Sequence, residues 1–102
     1  MTGFVRVMEL SQLAEGSMTA VDVDDTHILL SKIGGEVYAV SGICTHEETD
    51  LARGFVLEDR VVCPLHLSQF DLKTGQVMNP PAEIPLKRFN VKIEADAILV
   101  EV

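Results

Sequence analysis

Two short clusters of potential metal ligands, Cys44-Thr45-His46 and Cys63-Pro64-Leu65-His66, restrict the possible folds of this chain more than any other feature of its sequence. Sixteen residues separate them, and together they contain both cysteines and two of the three histidines. A metal site that uses all four side chains would leave no spare thiol, and no disulfide could form. The pattern therefore predicts a single metal site made by Cys44, His46, Cys63 and His66.

The chemistry of this ligand set allows two kinds of site. Two thiolates and two imidazoles can hold either one tetrahedral zinc ion or a two-iron, two-sulfide cluster. Zinc modules with these ligands usually pair like ligands locally, as Cys-x2–4-Cys and His-x3–5-His. Here each cluster supplies one cysteine and one histidine, which suits two metals, one bound by both cysteines and the other by both histidines. A structural zinc module stays open as the alternative.

The pattern Cys-x-His, sixteen residues, Cys-x-x-His is that of a Rieske [2Fe–2S] site. On these residues the chain resembles the Rieske-type ferredoxins that serve bacterial multicomponent aromatic-ring dioxygenases. The resemblance covers most of the chain and includes a short helical turn near 10–16, Leu51-Ala52-Arg53-Gly54, Phe70-Asp71-Leu72-Lys73-Thr74-Gly75 and Pro80-Pro81. It implies one [2Fe–2S] cluster held by two loops, at about 43–55 and 63–71.

The resemblance also implies a role for each ligand and for its neighbours. Cys44 and Cys63 would bind one iron as thiolates, while His46 and His66 would bind the other as neutral imidazoles. In high-potential respiratory Rieske proteins, a serine and a tyrosine donate hydrogen bonds to the cluster sulfurs. Ser68 fits the serine position, but Phe70 stands where the tyrosine would be and cannot donate. We therefore expect a reduction potential at the low end of the Rieske range, which is about −150 to +300 mV.

Several other residues near the predicted ligands, or of the same residue types, also have expected roles. Phe70, Pro80 and Pro81 would cover the cluster on its protein side. Glu47 and Leu67 stand where the ferredoxins commonly have glycine, and we expect Glu47, Glu48 and Asp50 to form a solvated acidic loop. His27 lies in a strand pattern without ligand-like neighbours, and is expected to be structural. Gly54 and Gly75 are expected to serve turns.

Length and composition bound the remaining possibilities. With 102 residues, 47% of them hydrophobic, we expect one globular domain over 1–102. No apolar run approaches the ~20 residues of a membrane span, and the first residues lack a secretory leader, so we expect a cytoplasmic protein. The formal net charge of −8 argues against binding to nucleic acid or anionic membrane.

The hydrophobic pattern predicts an all-β fold. Alternating or apolar stretches at 4–7, 18–23, 27–33, 37–40, 55–57 and 60–62 read as strands, and Gly34-Gly35 suits a tight hairpin turn. Alternation within 91–102 predicts a terminal antiparallel pair of strands around Ala95-Asp96. A single helical turn is expected at 11–15. Many short strands with frequent turns indicate an antiparallel β-sandwich or small barrel. The Rieske resemblance places the cluster-binding loops at one end of it.

The functional prediction follows from the ligand count and the resemblance. A Rieske oxygenase also needs a mononuclear iron held by two histidines and a carboxylate, but only His27 remains once His46 and His66 are used. The chain is therefore predicted to be an electron carrier rather than an enzyme. It would take electrons from a flavin-dependent NAD(P)H reductase, deliver them to the Rieske centre of a terminal aromatic-ring dioxygenase, and act as a monomer. The alternatives are the small Rieske-like subunit of an assimilatory nitrite reductase and a ferredoxin for another oxygenase.

Overall fold

The computed structural model describes residues 3–44, 49–64, 68–79 and 84–102. Its strands, in chain order, are β1 Phe4–Glu9, β2 Met18–Val23, β3 Thr26–Ile33, β4 Glu36–Ser41, β5 Phe55–Leu57, β6 Arg60–Val62, β7 Gln69–Asp71, β8 Val77–Asn79, β9 Arg88–Phe89, β10 Val91–Glu94 and β11 Ala97–Glu101. Two single-turn 3-10 helices occur at Leu10–Gln12 and Leu51–Arg53. The described residues thus form an all-β fold, as the sequence predicted.

The strands pair antiparallel in three sheets with the orders β1-β11-β10, β2-β3-β4-β9 and β5-β6-β7-β8. The first sheet joins the two ends of the described chain, since Phe4 on β1 lies opposite Glu101 on β11. The second sheet is a meander extended by the short strand β9. The third sheet is built from three-residue strands and carries one of the two cysteine loops.

The second sheet lies between the other two, and the alternation of side chains along β3 shows how. Leu29 is buried in a cluster with Val61 and Phe70 of the third sheet. Its neighbours Ile28 and Leu30 are buried in a separate cluster with Ile98 and Val100 of the first sheet. Because successive side chains of a strand point to opposite faces, β3 must be apolar on both faces, which explains its nearly continuous hydrophobic sequence.

Most of the predicted strands and turns are confirmed. The limits of β2, β5 and β6 are those expected, and Gly34 and Gly35 form the β3–β4 turn with φ of +63° and +82°. A type I′ hairpin turn requires positive φ at both central positions, which glycine adopts without steric cost. The terminal pair β10–β11 is also present, around Ala95 and Asp96.

The helical turn predicted at 11–15 is present, but it begins one residue earlier and is shorter than expected. The structure has a 3-10 turn at Leu10–Gln12, and the chain is already extended at Leu13, where φ is −116° and ψ is 109°. The extended conformation lets Leu13 bury its side chain beside Ile28 and Leu30, so that only 3% of the residue is exposed. The turn therefore ends where an apolar side chain enters the core.

No helix in the described residues is long and apolar enough to cross a membrane. The Pro80-Pro81 segment, expected to cover the cluster on its protein side, lies outside the described residues.

Candidate metal centre

The first cysteine lies at the base of a loop that follows β4. Ile43 forms an isolated antiparallel bridge with Asp50, and the backbone N–H of Cys44 donates to the carbonyl oxygen of Thr49 at 2.8 Å. Cys44 is fully buried. His46 lies in sequence between these two paired segments, but outside the described residues.

The second cysteine lies at the base of the loop between β6 and β7. Val62 pairs with Gln69, and the N–H of Cys63 donates to the carbonyl oxygen of Ser68 at 2.8 Å. Cys63 is fully buried as well, and His66 again lies outside the described residues.

The two loops have the same hydrogen-bonded base. In each, the residue before the cysteine pairs with the residue seven positions later, and the cysteine N–H bonds to the carbonyl five positions later. We call these loops the first and second cysteine hairpins, 43–50 and 62–69. Each presents a buried cysteine at its base, and each has a histidine in the intervening sequence. The two hairpins thus have equivalent bases. This arrangement suits a metal site that takes one cysteine and one histidine from each sequence cluster.

Gly54 brings the backbone that follows the first hairpin into direct contact with the second hairpin. It ends the 3-10 turn after the first hairpin, as expected for a turn residue, with its N–H bonded to the carbonyl of Leu51 at 3.0 Å. A Cβ atom at this position would lie 1.9 Å from the carbonyl oxygen of Val62 and 3.2 Å from Cδ of Pro64. Only a residue without a side chain allows the backbone after the first hairpin to approach the second hairpin this closely.

The donor chemistry of the described residues fits a Rieske-type cluster. Neither cysteine is in a disulfide, and both belong to one buried cluster with Leu51, Val61 and Phe70. Soft thiolates held in an apolar, water-excluding environment are typical ligands of iron–sulfur clusters and of zinc. Within the described residues no group of three or more His, Cys, Asp or Glu side chains is arranged to hold a metal ion. Both histidines of the predicted set fall outside that part of the chain.

Two of the three neighbours that the resemblance singled out are described. Ser68 is fully buried, and its carbonyl accepts the hydrogen bond from Cys63. Phe70 is fully buried in the same cluster as both cysteines, so it packs on the protein side of the hairpins. Pro81 lies outside the described residues, as do Glu47, Glu48 and Leu67.

Asp50 links the first cysteine hairpin to neighbouring elements, a role that the sequence did not reveal. The sequence predicted only that Asp50 belongs to a solvated acidic loop. Its carboxylate accepts hydrogen bonds from the ring Nε2 of His27 and from the N–H of Ala52, both at 3.0 Å. Burial opposes its ionisation, but these hydrogen bonds and the attraction of His27 and Arg53 together lower the pKa of Asp50 below its ordinary value. An Asp directly before a helical turn is a common N-cap signal, which could have indicated this role.

Comparison with known proteins agrees with this geometry. Residues 3–90 match the model of the Rieske [2Fe-2S] domain. The ferredoxin component of biphenyl 2,3-dioxygenase from Rhodococcus jostii (strain RHA1) is 34% identical over 96 residues, covering 94% of this chain and 90% of the relative. The ferredoxin of carbazole 1,9a-dioxygenase from Nocardioides aromaticivorans IC177 superposes with a TM-score of 0.90 at 36% identity, covering 95% of both chains.

A further similar structure is a complex of reduced oxygenase and oxidized ferredoxin in carbazole 1,9a-dioxygenase. One of its chains superposes with a TM-score of 0.90 at 26% identity, with 95% of this chain and 91% of that chain covered. The family indicated by the two cysteine hairpins is the same as that indicated by the family match and by these relatives. The chain belongs to the Rieske [2Fe-2S] domain family, and its cofactor is a Rieske-type [2Fe–2S] cluster.

Proposed function

We propose that this protein is the ferredoxin component of an aromatic-ring dioxygenase system. It accepts single electrons from a flavin-dependent NAD(P)H reductase and passes them to the Rieske centre of a terminal oxygenase. The observation that carries the proposal is the pair of equivalent cysteine hairpins in a chain whose similar relatives are named as ferredoxin components of such systems.

The four ligands are divided between the hairpins. Cys44 and Cys63, at the two buried bases, would hold one iron as thiolates, and His46 and His66 would hold the other as neutral imidazoles. When bound, the cluster takes up and releases one electron. The protein's own contribution is to exclude water around the cysteines, through Leu51 and Phe70, and to hold the backbone that follows the first hairpin against the second hairpin at Gly54.

The chain's composition supports a carrier rather than a catalyst. Beyond His46 and His66 it has only His27, so it lacks the second histidine that a mononuclear oxygenase iron needs. We also propose that 1–102 is one domain, that the protein is a cytoplasmic monomer, and that its negative charge of −8 directs it to basic protein partners rather than to nucleic acid or membrane. Two buried cysteines used as thiolate ligands suit a reducing compartment.

Electron paramagnetic resonance tests the proposal directly. The dithionite-reduced protein should give a rhombic signal with an average g below that of all-cysteine clusters, together with two irons and two acid-labile sulfides per chain. Adding a ferredoxin reductase, NADH and a terminal Rieske oxygenase should then couple NADH oxidation to hydroxylation of the oxygenase's aromatic substrate. One zinc per chain and a silent spectrum would contradict the proposal, as would stable copurification with a sirohaem nitrite reductase.

Replacing Phe70 by tyrosine should raise the reduction potential. The resemblance places a hydroxyl donor at this position in high-potential Rieske proteins, and Phe70 shares a buried cluster with both cysteines. A hydrogen bond that favours the reduced state by about 1 kcal/mol corresponds to roughly 40 mV in a one-electron couple. Redox titration followed by circular dichroism would measure the change. Phe70→Leu, which alters packing without adding a donor, is the control, and an equal shift in both variants would contradict the prediction.

A further inference from the structure

His27 lies between two carboxylates that come from different parts of the chain. Its ring Nδ1 is 2.6 Å from Oδ1 of Asp22, and its ring Nε2 is 3.0 Å from Oδ1 of Asp50. An ionised carboxylate can only accept hydrogen bonds, so a carboxylate at each ring nitrogen favours a donor at both. A neutral imidazole has only one donor, and the geometry therefore favours the doubly protonated imidazolium.

The same residue contacts both strands at the base of the first cysteine hairpin. On the incoming strand, the carbonyl of His27 accepts a hydrogen bond at 2.9 Å from the N–H of Gly42, which directly precedes the hairpin and lies two residues before Cys44. A Cβ atom on Gly42 would lie 2.6 Å from Cδ2 of the His27 ring, so the ring is packed against the Gly42 backbone. On the other strand, the ring holds Asp50, which is paired with Ile43.

We propose that His27 is a positioning residue of the metal centre: its imidazolium, packed against Gly42 and hydrogen-bonded to Asp50, holds the base of the first cysteine hairpin against the β2–β3 hairpin and thereby keeps the cluster bound. The proposal rests on the assignment of Cys44 and His46 as ligands. Asp22, on β2, anchors the ring from the side away from the hairpin. With the ring anchored there, Asp50 cannot move without losing a charge-assisted hydrogen bond.

The electrostatics support a charged ring. Hydrogen bonds to Asp22 and then Asp50 raise the pKa of His27 above its ordinary value of 6.5, against a smaller opposing effect of burial. The charged groups facing the ring are Asp22 from β2 and Asp50 from the hairpin, and Arg53 of the following 3-10 turn acts on Asp50. Because the folded pKa is raised, the stabilisation is complete below the unfolded pKa, and it is lost as pH rises through the folded pKa.

The experiment is the rate of cluster release from the oxidised holoprotein, followed by visible absorbance in the presence of an iron chelator, across a pH series. The wild-type rate should rise as His27 loses its proton. His27→Gln should release the cluster roughly tenfold faster at about pH 6, because a charge-assisted hydrogen bond is lost, and should lack this pH step. Any titration of the metal ligands is common to all variants and does not affect the comparison.

Asp22→Asn separates a charged positioning residue from a merely structural one. The amide oxygen of the new side chain can still accept a hydrogen bond, and the substitution leaves the first cysteine hairpin unaltered, but it removes the carboxylate that contributes most to the raised pKa of His27. The pH at which release accelerates should therefore move down. An unmoved midpoint, or wild-type release from His27→Gln, would overturn the proposal. Should His27→Gln fail to fold, Asp22→Asn alone still decides.

Glu15 offers a matched control at the opposite end of the β3–β4 hairpin. Its carboxylate accepts hydrogen bonds from the N–H groups of Gly34 and Gly35 at 2.6 and 2.9 Å, so it is also a charged clamp on a turn. Glu15→Gln should leave both the release rate and its pH midpoint unchanged. The proposed function is tested separately. A wild-type protein without a Rieske resonance signal would refute the ligand assignment. A normal signal, with cluster release from the variants at the wild-type rate, would refute only the role of His27.

Discussion

Replacing Cys63 by serine should leave the purified protein without its [2Fe–2S] cluster. Cys63 is fully buried at the base of the second cysteine hairpin, in an apolar cluster with Val61 and Phe70. A serine hydroxyl remains protonated where a thiol ionises to a thiolate, and its hard oxygen is a poor substitute for sulfur toward iron. Iron and acid-labile sulfide per chain should fall from two of each to near zero, and the visible absorption should disappear.

Val61→Thr is the matched control for this variant. Val61 is fully buried two residues before Cys63 in the same apolar cluster, and threonine keeps its shape while adding a hydroxyl. Burying that hydroxyl costs about 1–3 kcal/mol of folding stability unless it finds a partner. The control should therefore lose stability but retain its iron. A Cys63→Ser protein with full iron content and a histidine-ligated resonance signal would show that Cys63 is not a ligand.

The parts of the fold that could be predicted are those in which local pattern and tertiary environment agree. β2 has a full six residues of strand-forming pattern, and the Gly34-Gly35 turn is specified by backbone freedom alone. The strands that the sequence did not reveal are β7, β8 and β9, each of two or three residues. So few residues cannot display a period of two, and these strands exist because their neighbours supply hydrogen-bond partners.

The site shows the same division between what is local and what is not. The cysteines and histidines could be recognised because ligand chemistry depends on residue type and spacing, both of which the sequence contains. The hydrogen bond between His27 and Asp50 could not be recognised from the sequence, because the two residues are 23 positions apart. They come close only when β3 packs beside the first cysteine hairpin. The equal hydrogen-bonded bases of the two hairpins were hidden too, since their histidines lie at different distances from the cysteines in sequence.

Gly54→Ala should disrupt the centre without altering any ligand. The backbone at Gly54 has φ of −85°, which other residues also adopt, so the effect would come from steric overlap rather than from backbone strain. A Cβ atom 1.9 Å from the carbonyl oxygen of Val62 forces the 3-10 turn and the second cysteine hairpin apart. Overpacking against a backbone atom that cannot rotate away should cost about 3 kcal/mol or more.

The separation should change the distance between the two cysteines, because Gly54 follows the first cysteine hairpin and Val62 directly precedes Cys63. We therefore expect the variant to have both a lower free energy of unfolding in urea and a lower iron content per chain. Gly3→Ala is the control, since a Cβ there meets no atom within 4 Å and should change neither quantity. A wild-type iron content in Gly54→Ala would contradict this prediction. It would mean that the metal site does not depend on the close contact between Gly54 and the second cysteine hairpin.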